Sequence, residues 1–297
     1  MPKVSPYLLL VLTTFFWAGN FVIGRAVNPY IPPIALSFWR TLLGLIIILP
    51  FALPHIKQQF HIMRRHAVII ITLGTLGVAG FNTFAYFALQ STTATNAVLL
   101  MSTTPIVIIL MSFIVLRQTI SLIQFIGVTI SLMGVMFIVS RGHLENILGL
   151  SLNQGDLWML AAVLDWALYS VLLRWRPAAL HGLAFLGGLV LVGTLALTPL
   201  YLWSLEHSAT WEFSTPALLG IAYTAIFPLL VAYIFWNRAV HEVGANRAGQ
   251  FLHLLPVFGT LFSTIFLGEK LYNYHYIGVG LVFTGIYFAT LWRSSKV

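Results

Sequence analysis

Residues 105–134, PIVIILMSFIVLRQTISLIQFIGVTISLMG, return 151 positions later as residues 256–285, PVFGTLFSTIFLGEKLYNYHYIGVGLVFTG. Pro105 pairs with Pro256, Gly127 with Gly278 and Gly134 with Gly285 at that constant offset. Further out, Trp17-Ala18 and Arg25 find Trp166-Ala167 and Arg174 at an offset of 149, and Ala85-Tyr86 finds Ala232-Tyr233 at 147, drifts that loop insertions would produce. The chain reads as two copies of one unit. An odd number of membrane spans per copy turns the second copy upside down, the arrangement of many secondary transporters, in which the substrate site lies between the repeats near the bilayer midplane.

Composition supplies the membrane. With 59% hydrophobic and 7% charged residues and a mean hydropathy of +0.94, the chain is not a water-soluble domain around an ordinary core. Crossing a hydrocarbon layer takes about 20 apolar residues. Ten segments qualify: 7–27, 34–53, 67–89, 94–116, 122–140, 155–173, 180–203, 217–239, 248–267 and 275–292. Their length, with Gly and Pro scattered through them, specifies helices and not the alternating strands of an outer-membrane barrel. The expected fold is an all-α polytopic membrane protein of ten transmembrane helices, arranged as two inverted five-helix repeats. Residues 1–140 form the first repeat, 141–154 the linker and 155–297 the second.

The first apolar run contains Trp17, Asn20 and Arg25 and lacks a small-x-small cleavage site, so it is expected to stay as a helix. The absence of Cys removes disulfides, thiol catalysis and Cys-based metal sites. The net charge of +8 is distributed like a topology signal. With the N-terminus inside, Lys3, Lys57, Arg64, Arg65, Arg117, Arg174, Arg176, Arg238, Arg247, Arg293 and Lys296 fall on the cytoplasmic side, against Arg25, Arg141 and Lys270 outside. That is the positive-inside pattern, and it needs no nucleic-acid partner. The expected location is the cell's inner membrane with both termini cytoplasmic. The expected partners are a small-molecule substrate and the bilayer, in a monomer or weak homodimer.

Polar groups in membrane spans are costly and tend to face a bundle interior, which makes them the candidate site. Trp17 and Asn20 on the first span are echoed by Trp166 and Tyr169 on the sixth, and two aromatic faces from matching positions suit an apolar cavity wall. Asn82 and Tyr86 lie four apart on the third span, and Tyr233 and Asn237 repeat that spacing on the eighth. Gln250 and His253 on the ninth are candidates for orienting a polar end of the substrate, although a His held by a kinked backbone fits as well. Asp165 is the one carboxylate deep in a span, and Arg40 is its candidate counter-ion. The pair reads either as a structural ion pair or as a coupling site that binds a proton. Pro105 and Pro256 interrupt matching spans, and paired interruptions point towards a central site in carriers built from repeats. Gly74, Gly77 and Gly80, then Gly127, Ser131 and Gly134, then Gly278, Gly280 and Gly285, are small-residue stripes that read as helix packing, with a dimer contact open on the last.

Enzymatic patterns are not met. His241-Glu242-Val243-Gly244-Ala245 starts like a zinc-protease helix but lacks the second His, and no glycine loop ending in Gly-Lys-Ser/Thr is present. An aspartyl protease needs two carboxylates sharing a site. The expectation is no catalytic residue, no metal and no cofactor.

Phe16-Trp17-Ala18-Gly19-Asn20-Phe21, Phe38-Trp39-Arg40, Ala85-Tyr86-Phe87-Ala88-Leu89, Ala94-Thr95-Asn96-Ala97 with Pro105, and Leu267-Gly268-Glu269-Lys270 followed by Gly278 and Gly285 occur in the order and spacing of a known group. Through them the chain resembles the EamA-type ten-helix exporters of the drug/metabolite transporter superfamily and is similar to aromatic amino-acid exporters. That resemblance implies alternating-access export of amino acids or other small metabolites. It also implies a cavity lined by the first, third, fourth, sixth, eighth and ninth helices. Drugs, nucleosides and cationic metabolites are the alternative cargo, and a lipid scramblase or intramembrane enzyme the alternative class. Two features depart from the pattern: Arg117-Gln118 replaces a first-half Gly-Glu, and Ala18 stands where Gly is common.

Overall fold

The computed structural model describes residues 4–92, 94–143, 145, 153–207, 211–267 and 270–290. The expected Gly268-Glu269 element, most of the linker, and Lys3, Arg293 and Lys296 lie outside the described residues. Among the described residues every regular element is helical. They fall into ten stretches: α1 (Pro6–Val27), α2 (Pro33–Arg65), α3 (Ala67–Ser91), α4 (Ala94–Met101 and Thr104–Leu116), α5 (Leu122–Val139), α6 (Gln154–Leu172), α7 (Gly182–His207), α8 (Thr215–Val243), α9 (Ala245–Gln250, a 3₁₀ turn Phe251–His253, and Leu254–Leu267) and α10 (Asn273–Thr290). Eight segments are long and apolar enough to cross a membrane, and they fall on α1 to α8.

Why the helices start and stop where they do is readable in their caps. Proline opens α1, α2 and α8, where its missing N–H costs nothing. Ser121 with Gln124 and Asn153 with Asp156 form reciprocal capping boxes at the starts of α5 and α6. Arg117 ends α4 in the left-handed conformation at φ 55°, the slot that Gly fills most easily, which accounts for the place of the missing Gly-Glu. Gly244, at φ 84° and ψ 158°, makes the tight joint between α8 and α9 in a region that only Gly enters readily.

Two boundaries differ from expectation. The second helix runs twelve residues past residue 53, to Arg65, with Pro50 and Pro54 inside it and a kink at Gln59. The fourth is broken at Ser102-Thr103, because Pro105 sits in the first turn of its second piece and cannot continue the backbone ladder.

Helix interruptions recur at fixed separation. Residues Gly74–Gly80 of α3 and Ala225–Val231 of α8 are both π-helical, and the two segments begin 151 positions apart. Ser102 in the break of α4 and His253 in the 3₁₀ turn of α9 are also 151 apart, and the His253 Nε2 lies 3.0 Å from the Ser102 carbonyl. Packing is paired in the same way. The helix contacts α3–α6 and α4–α6 are matched by α1–α8 and α1–α9, while α2–α7, α4–α9 and α5–α10 join corresponding helices.

The glycine stripes do the work expected of them. A Cβ on Gly127 would lie 2.6 Å from the Gly285 carbonyl, and one on Gly134 would lie 2.7 Å from the Gly278 carbonyl, so α5 and α10 touch backbone to backbone. Gly280, by contrast, has nothing within 4 Å. Large apolar side chains such as Phe51, Val68, Leu122, Leu195 and Ile265 cover the outer surface, as a lipid-facing wall requires.

Candidate functional site

Aromatic rings from α1, α6 and α8 meet in the middle of the bundle. Trp17 and Trp166 cross edge to face with centroids 4.8 Å apart. Trp236 lies 5.2 Å from the first and 5.6 Å from the second, and Tyr233 lies 5.6 Å from Trp166. Tyr169 stacks at a tilt on Trp166 at 4.9 Å, and Phe81 approaches it from α3 at 5.0 Å. All but Phe81 are buried, so the cluster is closed at this point of the bundle.

The two π-helical segments hold this cluster in place. In each, the widened turn leaves a carbonyl free for a side chain from another helix. The Trp17 Nε1 donates to the Pro228 carbonyl at 3.1 Å, and the Tyr233 hydroxyl donates to the Gly77 carbonyl. Gly77 and Pro228 are themselves 151 apart. Gly77 is also a site of close approach, since a Cβ there would clash with the Tyr169 ring.

Around the rings sits a polar shell. Arg40 Nη1 donates to Asn82 Oδ1 at 2.5 Å and to the Tyr86 hydroxyl at 2.7 Å, and Tyr86 in turn donates to Asn20 Oδ1 at 3.1 Å. In the other half the Tyr169 hydroxyl donates to Asn237 Oδ1 at 2.6 Å. Asp165 lies over Gly80 and hydrogen-bonds the Phe81 backbone. Arg40, Asp165 and Tyr86 all act electrostatically on the Tyr233 hydroxyl, with Asn82 beside it.

Ten of the twelve site residues expected from sequence therefore converge: Trp17, Asn20, Arg40, Asn82, Tyr86, Asp165, Trp166, Tyr169, Tyr233 and Asn237. Arg40 and Asp165 do not meet as an ion pair. Among the described residues the one salt bridge is Arg238–Glu242, and both interior charges are spent on α3 instead. His253 and Gln250 stand apart. His253 has both ring nitrogens occupied, Nδ1 at 2.6 Å from Ser131 Oγ and Nε2 on Ser102, so it ties α9 to α5 and α4. Gln250 Nε2 donates back to Asn246 on its own helix. Trp236 was missed, although its place three residues beyond Tyr233 puts it on the same helix face.

Several buried polar atoms in this region have no partner: Arg40 Nε and Nη2, Asp165 Oδ2, Trp166 Nε1 and Trp236 Nε1. Buried polar atoms are nearly always satisfied, so a local group of five is a place where a ligand or water completes the bonding.

Two cavities open at different ends of the bundle. One, of about 360 Å³, lies between the α6–α7 turn and the end of α8 and includes Arg176, His181, Asn237, Arg238 and His241. The other, of about 320 Å³, lies between the α1–α2 turn and the end of α3 and includes Asn28, Ile31, Phe87, Gln90 and Trp211.

The EamA-like transporter family matches this chain twice, over residues 4–140 and 153–291. The uncharacterized transporter YyaM of Bacillus subtilis (strain 168) is 27% identical over 96% of this chain and 93% of its own. An uncharacterized transporter of Archaeoglobus fulgidus is 28% identical over 96% of both chains. A protein of known crystal structure shares the fold with a TM-score of 0.76 at 18% identity, covering 97% of this chain and 96% of its own.

Proposed function

The chain belongs to the EamA-like transporter family, a multi-pass membrane protein, and from that premise we propose that it is a secondary carrier that exports small amphipathic metabolites, amino acids first among them. The observation that carries this reading is a buried guanidinium and a buried carboxyl group that do not bond each other and leave polar atoms open beside a closed aromatic cluster. Buried polar atoms are nearly always satisfied, so a guanidinium and a carboxyl group that each leave atoms open suit a ligand that brings both an anionic and a cationic end. A zwitterion does so. Its carboxylate matches the free Nε and Nη2 of Arg40, its ammonium matches Asp165 Oδ2, and an apolar side chain matches the faces of Trp17, Trp166 and Trp236.

In this reading the chain is two inverted five-helix repeats, 1–140 and 155–297, in the inner membrane with both termini cytoplasmic. The paired π-helical segments and the matched helix contacts support the repeat. Alternating access opens one cavity at a time onto the aromatic cluster. The Tyr86–Asn20 and Tyr169–Asn237 contacts flank the cluster, the first a residue away from Phe87 in one cavity wall and the second in the wall of the other. Gly278 and Gly285 are already occupied against α5, which favours a monomer or a weak homodimer over a tight one.

The test is counterflow uptake of labelled amino acids into liposomes holding the purified protein, with Trp17→Ala and Trp166→Ala alongside. Saturable uptake that both variants lose is the expected result. Absence of uptake for every amino acid, in protein shown to be folded, rejects this substrate class.

A further inference from the structure

The cavity between the α6–α7 turn and α8 carries a chemistry its counterpart lacks. Four of its lining residues, Arg176, His181, Arg238 and His241, are basic, whereas the other cavity is lined by uncharged residues throughout. Arg238 is neutralised by Glu242 at 2.8 Å. Arg176 has no such partner. Its Nη2 reaches the Leu180 carbonyl at 3.2 Å, its guanidinium carbon sits 4.8 Å from the Phe185 ring centre, and its Nε is buried with no hydrogen bond. A half-buried guanidinium without a carboxylate, facing a space large enough for a metabolite, is a receptor for an anionic oxygen pair.

The inner end of the same space is Asn237, whose Oδ1 takes the Tyr169 hydroxyl next to Trp166. The cavity is thus connected to the aromatic cluster through one hydrogen bond. We propose that it is an anion-binding vestibule, in which Arg176 receives the carboxylate end of the transported molecule before that molecule passes the Tyr169–Asn237 contact. The proposal deepens the carrier reading and rests on it for its role, but the binding itself is measurable without transport.

The experiment is a thermal-unfolding titration of the purified full chain in uncharged detergent with phenylacetate, and with phenylacetamide as its neutral match, at constant ionic strength. Phenylacetate is expected to raise Tm saturably and phenylacetamide to do so far less. Arg176→Gln is expected to weaken the apparent affinity about tenfold, the worth of one hydrogen bond to a charged group. Arg238→Gln, which removes a cation already paired, is expected to weaken it less and serves if the first variant does not fold. Arg25→Gln, which removes an exposed cation that lines neither cavity, should leave the carboxylate preference intact.

An unchanged response in Arg176→Gln overturns the proposal. So does an equal loss of the response in Arg25→Gln, which would make it an effect of net charge and not of a site. Repeating the titration in nanodiscs of phosphatidylcholine and of phosphatidylglycerol separates a soluble carboxylate from a lipid headgroup. Survival of the response in both supports the vestibule, and its abolition by phosphatidylglycerol gives the site to lipid instead. Failure of amino-acid counterflow with this binding intact would reject the cargo and keep the site.

Discussion

In the first half of the chain Tyr86 on α3 donates to Asn20 on α1, and in the second half Tyr169 on α6 donates to Asn237 on α8. The two contacts are the same hydrogen bond with the residue types exchanged between corresponding helices. Their surroundings differ. The first is backed by Arg40, which bonds both Tyr86 and Asn82, so it belongs to a closed buried network. The second has no cation hydrogen-bonded to it and looks out on a cavity through Asn237. The pairs of π-helical segments repeat the contrast, since one is shaped by Gly77 pressed against a ring and the other by Pro228. Two halves that match in these contacts can still diverge in what surrounds them, and here the first-half contact is the more closed.

The largest expected effect comes from the segments themselves. Gly77→Val puts two methyl groups into the Tyr169 ring while the Gly77 carbonyl must still accept Tyr233, and it should destabilise the fold by about 3 kcal/mol. Pro228→Ala restores an N–H without adding bulk and should stay within about 1 kcal/mol. Unfolding of the two variants side by side in detergent checks this, and equal losses would break the contrast.

Removing one hydroxyl from each contact gives the next effect. Tyr86→Phe takes an acceptor from a buried guanidinium and strands Asn20, at about 2 kcal/mol. Tyr169→Phe leaves Asn237 able to turn to the cavity, at about 1 kcal/mol. Accessibility sharpens the same point without an energy scale. The chain has no Cys, so Asn237→Cys and Asn20→Cys each carry a single thiol. A membrane-impermeant thiol reagent applied from the side of the α6–α7 turn should label the first readily and the second hardly at all. Labelling of both at one rate would show that the first-half contact opens as freely as the second.

How much of this was legible from sequence depends on what each feature is made of. Helices could be read because each crossing demands a long apolar run, and Trp17, Trp166, Tyr86 and Tyr233 could be read because they recur in matching spans. The π-helical segments could not, since one is Gly-rich and the other holds Pro, and a widened turn has no residue signature common to both. Their positions set the third and eighth helices 151 apart, which aligns Asn82 with Tyr233 and Tyr86 with Asn237, in place of the 147 suggested by the Ala-Tyr pairs. Pro105 and Pro256 pointed to a central feature that turned out to be the α4–α9 crossing at Ser102 and His253, beside the aromatic cluster's helices and not among its rings. Charge partners were beyond reach too, because sequence shows that Arg40 and Asp165 are both interior but not that α3 takes each of them separately.

The smallest expected effect concerns the open side alone. His181, exposed at the mouth of the cavity, is held below its ordinary value of 6.5, by desolvation first and then by His55, stacked on it at 3.8 Å, and by Arg176. In the cavity wall Arg238 is paired with Glu242, and the Leu183 N–H donates to His181 Nδ1 at 3.3 Å, which also favours the neutral ring. A histidine whose folded value is depressed binds its proton more readily when unfolded, so its contribution to stability is present above about pH 6.5 and declines as pH falls towards the lower folded value. The same proton adds a charge to the cavity. Phenylacetate should therefore bind about two- to threefold more tightly between about pH 6.5 and pH 5, the worth of one exposed charge interaction. His181→Gln should flatten both slopes. The other cavity's lining holds no ionisable group except Tyr30, so a pH response that survived removal of His181, His55 and His241 together would lie outside this cavity and would remove the asymmetry between the two ends.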